Sequence, residues 1–215
     1  MGLDTVTTLL AVRHGETAWN RERRIQGHMD VPLSPLGEAQ AQRLAEVLAG
    51  EPIDAIYASD LMRARQTAAA FAARSGLPVG EDVGLRERGF GCFEGLSWTE
   101  IEARWPEQVL RWKRRDPDFG AEGGERLRDF YQRAVGAVER LAQAHPGQTL
   151  LLVAHGGVMD CLYRAGRRLP LEAPRSWALG NATINRLLYT PAGLSVVGWN
   201  DDLHLDGLGL DEAAA

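Results

Sequence analysis

Residues Thr7–Asn20 read TTLLAVRHGETAWN, and the rest of the chain is interpreted outward from them. An apolar, partly β-branched run from Val6 to Val12 stops abruptly at Arg13-His14-Gly15-Glu16-Thr17. Such a run has the pattern of a buried strand, and the tight turn after it carries a cation, an imidazole and a glycine. Ligand sites in open α/β sheets form outside the carboxyl ends of strands. Taken alone, the stretch fits a strand running into a solvated polar loop better than a site.

A second stretch repeats the pattern. Thr149–Ala154 is nearly all apolar and stops at His155-Gly156-Gly157. Between the two, Ile53–Ala58 reads as a short strand, with Ser59 and Asp60 as capping candidates. A helix then runs from about Leu61 to Arg74, ahead of Gly76 and Pro78. Ser34-Pro35 opens an earlier helix as cap and first residue, with a stripe of Leu36, Leu44, Val47 and Leu48 and a stop at Gly50. Leu127, Tyr131, Ala134, Val138 and Leu141 recur at helical spacing up to His145-Pro146-Gly147. Thr183–Tyr189 and Leu194–Trp199 read as late strands joined around Pro191-Ala192-Gly193. Strands alternating with helices predict an α/β sandwich on a mostly parallel sheet, with residues 1–215 as a single domain.

Residues 88–125 break this rhythm. They hold Phe90, Phe93, Trp98, Trp105, Trp112 and Phe119 and the basic cluster Arg111, Lys113, Arg114 and Arg115. The segment reads as a lid-like insertion over the carboxyl edge of the sheet. Its tryptophans, seven apart, predict one face of a helical pair. The basic cluster fits a solvated face better than a second acidic group of a substrate.

Composition narrows the function classes. The chain has 215 residues, 45% of them hydrophobic, and a formal net charge of -5. That is enough chain for a sizeable core, and no basic tail or block points to nucleic acid or a membrane surface. Five histidines and two cysteines form no HExxH, CxxC or paired-ligand spacing, so no metal site is expected. Cys92 and Cys161 read as free thiols, which suits a cytoplasmic protein. No leader-like N-terminus and no apolar run near 18 residues is present, so neither secretion nor membrane insertion is expected.

The strand ends then converge on one chemistry: Arg13-His14 after the first, Arg63 just inside the helix after the second, His155 after the third. Arginine presents a planar fork that grips phosphate or carboxylate oxygens. Glycines beside the histidines let backbone N–H groups approach an anion, and a helix starting there adds its positive end. Two guanidiniums and two imidazoles at one point repel each other unless an anion lies between them. A dianionic phosphoryl group would satisfy all four.

Arg13-His14-Gly15-Glu16-Thr17 with Trp19-Asn20 resembles the opening motif of the histidine phosphatase superfamily, which includes cofactor-dependent phosphoglycerate mutases. The resemblance continues through Gln26-Gly27, Asp30, Pro32-Leu33, Gly37, Gln40, Ser59 to Ala68, Leu85-Arg86-Glu87, Phe90-Gly91, Glu94-Gly95 and Val153 to Gly157. Asn181 and Trp199-Asn200 to His204-Leu205 resemble C-terminal features of its small bacterial phosphatase-type branch. It implies a three-layer α/β/α sandwich of phosphoglycerate mutase-like fold. His14 would be the nucleophile that forms a phosphohistidine, with its second ring nitrogen held by a backbone carbonyl or similar acceptor. Arg13, Arg63 and His155 would bind the phosphoryl oxygens and stabilise charge during transfer. Glu87 would protonate the leaving oxygen and then activate water. Asn20 matches a phosphate contact, and Gln26, Thr17 and Gly156 join it as candidate substrate contacts.

The same machinery serves a phosphatase, where water accepts the phosphoryl group, or a mutase, where a substrate hydroxyl does. Related mutases carry a longer insertion between the acid and the second histidine. Here 67 residues separate Glu87 from His155, which favours metal-independent hydrolysis of a small phosphorylated metabolite with no cofactor. The alternatives are a 2,3-bisphosphoglycerate-dependent mutase and a non-catalytic phosphometabolite-binding protein. Many relatives follow Gly-Glu with serine where this chain has Arg126. Glu16 fits a structural role, His28 a solvated turn, His145 a helix-end charge and His204 a tail anchor. Exposed edge strands of such a sheet allow a homodimer.

Overall fold

The computed structural model describes residues 6–208. Its sheet contains β1 (Thr7–Arg13), β2 (Ala55–Ala58), β3 (Val79–Glu81), β4 (Thr149–Ala154), β5 (Ile184–Thr190) and β6 (Gly193–Asp201). Their spatial order is β3-β2-β4-β1-β5-β6. The pairs β1–β4, β2–β4 and β2–β3 are parallel, and β5 runs antiparallel to both β1 and β6. The expected mostly parallel mixed sheet is the one observed.

Register explains how distant sequence positions meet. Arg13 lies opposite Ala154, so His14 and His155 leave the sheet side by side. Ala58 lies opposite Val153, so the chain after β2 starts its helix next to them. That helix, α3 (Met62–Ser75), carries Arg63 in its first turn.

The unbroken apolar character of β1 follows from burial on both faces. Leu9 and Ala11 face one core with Leu150, Leu152 and Ala154. It is covered by α6 (Leu127–Ala144) and α7 (Gly156–Arg167), which supply Phe130, Val138, Val158 and Leu162. Leu10 and Val12 face the other with Leu151 and Val153, under α2 (Pro35–Leu48) and α3, which supply Leu44, Leu48, Ala64 and Phe71. This makes three layers. A fully buried leucine of this kind contributes about 1.5–3 kcal/mol.

Several local expectations are corrected. Ser34 does cap α2, accepting from the Gly37 N–H at 3.1 Å, with Pro35 at the first position. The buried face, however, is Gly37, Gln40, Ala41, Leu44, Ala45 and Leu48, while Val47 is exposed and Leu36 half-buried. Small residues let the helix lie close to the sheet, so the most hydrophobic positions do not mark its inner face. Neither Ser59 nor Asp60 caps α3: its cap position is Leu61, Ser59 Oγ accepts from the Leu61 N–H, and Asp60 pairs with Arg86. The helix ends at Gly76, in the left-handed region with φ 74°. In α6, Leu127, Ala134, Val138 and Leu141 are buried as expected, but Tyr131 is only half-buried and Phe130 joins the inner face beside them.

Residues 88–125 contain the expected helical pair, α4 (Trp98–Arg104) and α5 (Pro106–Lys113). Phe93, Ile101, Val109 and Phe119 form a small separate core, with Trp98, Trp105 and Trp112 packed around it. Ser97 and Glu100 form a capping box at the start of α4. The basic cluster is largely engaged by the protein itself: Arg111 pairs with Asp116, Lys113 with Glu102, and Arg115 with Asp160, while Arg114 is exposed. At α6, Arg126 holds the cap position without a side-chain cap. The free N–H groups of Leu127 and Arg128 instead donate to the carbonyls of Phe119 and Pro117, joining this segment to the body. Among the described residues, no helix is long and apolar enough to cross a membrane.

Candidate active site

His14 continues the β1–β4 ladder by one residue, its N–H donating to the Ala154 carbonyl at 2.9 Å. Its ring is buried. Nδ1 lies 2.7 Å from the Gly15 carbonyl, which can only accept, so Nδ1 carries the proton. The lone pair therefore sits on Nε2, which accepts from Arg63 Nε at 3.3 Å. Burial, then the charges of Arg63 and Arg13, hold the His14 pKa well below its ordinary value, so the ring is neutral.

The turn is held from below by a close backbone approach. A Cβ on Gly15 would lie 2.5 Å from the Gly37 carbonyl oxygen, and one on Gly37 would lie 2.0 Å from that of Glu16. Glu16 is structural here: its carboxylate accepts from Ser34 Oγ at 2.7 Å, and its N–H donates to Gln40 Oε1 at 2.8 Å.

Two fixed cations flank the imidazole. Arg63 donates through Nη1 to the Met29 carbonyl and through Nη2 to that of Gly27, both at 2.9 Å. Arg13 donates through Nη1 to the Leu179 carbonyl, and its buried Nε has no partner among the described residues. Burial lowers both guanidiniums to about 10, with the charge of Glu87 opposing the shift in each. Both stay protonated at neutral pH.

His155 completes the group. Its ring centroid is 5.2 Å from that of His14, and neither ring nitrogen has a protein partner among the described residues. Burial, then the charges of Arg63 and Arg13, keep it neutral as well. A buried imidazole with both nitrogens unpaired is costly unless a ligand satisfies it. Gly156 then opens α7, whose positive end favours an anion.

Glu87 reaches the same place from another part of the chain. Its Oε2 accepts from the Gly157 N–H at 2.9 Å and its Oε1 from the Arg88 N–H at 2.8 Å. Gly157 leaves room for this carboxylate, since a Cβ there would lie 2.1 Å from Glu87 Oε1.

The three candidate contacts in the first loop form one cluster. Thr17 Oγ1 lies 3.0 Å from both Asn20 Oδ1 and Gln26 Oε1, and it caps the short helix α1 (Ala18–Arg21). Its hydroxyl is buried and engaged within the cluster, which places Thr17 as a support for the two amides. Among the described residues the amide nitrogens of Asn20 and Gln26 donate to no protein group. Asn181 links this cluster to the nucleophile candidate, donating to the His14 carbonyl at 2.9 Å.

His28 departs from expectation. It is half-buried, and its Nε2–H donates to the Glu87 carbonyl at 2.8 Å. His204 does anchor the tail, reaching the Ala182 carbonyl at 3.0 Å. His145 occupies the end of α6, 2.8 Å from Tyr57 Oη, at the other end of the strands.

A family model of the histidine phosphatase superfamily (branch 1) matches residues 9–202. The chain belongs to this superfamily. Over 206 residues it is 39% identical to phosphoglycerate mutase-like protein 4 of Arabidopsis thaliana, covering 94% of this chain and 88% of that one. The solved structure of Bacillus stearothermophilus YhfR is 34% identical, with a TM-score of 0.87 over 93% of this chain and 100% of that chain. A mycobacterial glucosyl-3-phosphoglycerate phosphatase is 33% identical, with a TM-score of 0.80 over 91% and 99%. Names of both mutase and phosphatase type therefore occur among its relatives.

Proposed function

We propose that this member of the superfamily hydrolyses phosphomonoesters of small metabolites through a phosphohistidine on His14, without a metal ion. The observation that carries the reading is the His14 ring itself: neutral, with Nδ1–H on a carbonyl and the Nε2 lone pair facing the buried Arg63 guanidinium. In the first step Nε2 bonds to phosphorus as the ester P–O bond breaks, and Glu87 in its acid form gives its proton to the leaving oxygen. In the second, water bonds to phosphorus, its proton passes to the Glu87 carboxylate, and the N–P bond breaks. Inorganic phosphate leaves with His14 restored. Arg13, Arg63 and His155 take the phosphoryl oxygens, where fixed donors in a dry site stabilise charge most. Asn20 and Gln26 offer their free amide N–H groups to the same anion.

Free thiols at Cys92 and Cys161 agree with a cytoplasmic setting. The mutase reading draws on the Arabidopsis relative's name and needs only that a substrate hydroxyl replace water. The short connection between Glu87 and His155 favours hydrolysis.

Phosphate release from a panel of phosphomonoesters, in EDTA and with His14→Ala alongside, tests the reading. Turnover that survives EDTA and disappears in the variant is expected. Strict metal dependence, or unchanged activity in His14→Ala, would overturn it.

A further inference from the structure

The segment that carries Glu87 has little regular structure to hold it: one short 3-10 turn, Val83–Leu85, then extended backbone. A carboxyl group that gives and takes a proton at one point needs a fixed backbone, because misplacement by about 1 Å costs ~100-fold in rate. Arg133, in the second turn of α6, holds that backbone. Its Nη1 donates to the carbonyls of Gly84 and Arg86, and its Nη2 to the carbonyl of Glu87, each at 3.0 Å.

Arg133 is itself held. Its Nε donates to Glu125 Oε1 at 2.8 Å and its Nη2 to Glu125 Oε2 at 2.7 Å. The same Oε2 accepts from the Gly89 N–H at 2.8 Å, so the carboxylate grips the chain on the far side of Glu87. The Phe130 ring lies 5.2 Å from the guanidinium, and His28 shares the Glu87 carbonyl. A planar fork spanning three carbonyls cannot be reproduced by lysine, whose donors radiate from a single nitrogen on a flexible stem.

We infer that Arg133, oriented by Glu125, is a positioning residue for proton transfer at Glu87. The inference rests on Glu87 being the general acid, and its test separates the two claims. kcat/KM is measured on 4-nitrophenyl phosphate, whose leaving group departs without a proton, and on glycerol 2-phosphate, whose alkoxide needs one. This parameter reports the step in which the leaving group departs. Both rates are taken on one sample, so partial unfolding of a variant lowers them alike and leaves their ratio unchanged.

Arg133→Lys and Arg133→Gln are expected to lower the rate on glycerol 2-phosphate by about 10- to 100-fold. On 4-nitrophenyl phosphate the loss should stay under about 3-fold, and Glu87→Gln should show the same selectivity more strongly. Equal losses on both esters, or no loss on either, would overturn the role of Arg133 if Glu87→Gln remains selective. A Glu87→Gln variant without selectivity would overturn the general-acid reading and this inference with it.

Discussion

Replacing His155 with glutamine should make the protein's stability less sensitive to acid. His14 and His155 are neutral in the fold, held well below the ordinary 6.5 first of all by burial. Unfolding returns each ring to about 6.5. Below that pH the unfolded chain binds protons that the folded chain does not, so stability is full above about 6.5 and is lost as pH falls. For a ring that stays unprotonated in the fold, the loss is about 0.1 kcal/mol at pH 7.5 and about 1.4 kcal/mol at pH 5.5. His155→Gln should therefore remove about 1.3 kcal/mol of the acid-induced loss across that interval, and His14→Gln a similar amount. His204 is also lowered, by burial, and acts in the same direction, so the comparison is made between variants. Asp60 and Glu125 are held below their ordinary values, so their contribution disappears only at lower pH, outside the interval. The assay is urea unfolding at both pH values, at fixed ionic strength and without phosphate, which would stabilise the fold by binding it. Parallel wild-type and variant stabilities would refute the claim that these rings are neutral in the fold.

Two glycines give further expectations. Gly157→Ala places a Cβ 2.1 Å from Glu87 Oε1, at the far end of a side chain that can swing away. Urea stability should change little while kcat/KM falls by about 10- to 100-fold. Gly37→Ala places its Cβ 2.0 Å from the Glu16 carbonyl oxygen, which belongs to the backbone and cannot swing. The helix preference for alanine, about 1 kcal/mol, is then outweighed by overpacking of about 1–3 kcal/mol or more, so a thermal melt should show a net loss. Turnover should fall with it, since the strained contact lies next to the His14 turn.

The strands that build the site are legible in the sequence because both faces of the sheet are covered. β1 and β4 read as apolar runs, and the residue that follows each strand is a site histidine. Parallel pairing then places those histidines side by side without further information. The edge strand β3 is three residues long, contains Gly80 and, among the described residues, pairs only with β2, so it carries no hydrophobic period to detect. The hydrophobic stripe of α2 does not mark the inner face at Leu36 and Val47 because close packing selects Gly37 and Ala41 by size. Arg133, Glu125 and His28 carry no sequence signal as supports of the Glu87 segment for a different reason. They act on backbone carbonyls and N–H groups, and a polar residue bonded to backbone has the same pattern in sequence as one bonded to water. Glu125 lies two residues before α6 opens and Arg133 eight residues further on, a separation that does not by itself distinguish a paired charge from a solvated one.

The central claim is that His14 Nε2 carries the phosphoryl group during turnover. Rapid acid-free quenching of the enzyme with a labelled phosphomonoester, followed by peptide mapping, tests it most directly. An acid-labile, base-stable phosphoryl group is expected on His14, forming and decaying at rates compatible with turnover and absent from His14→Ala. Turnover with no such adduct, or with the label on another residue, would contradict it.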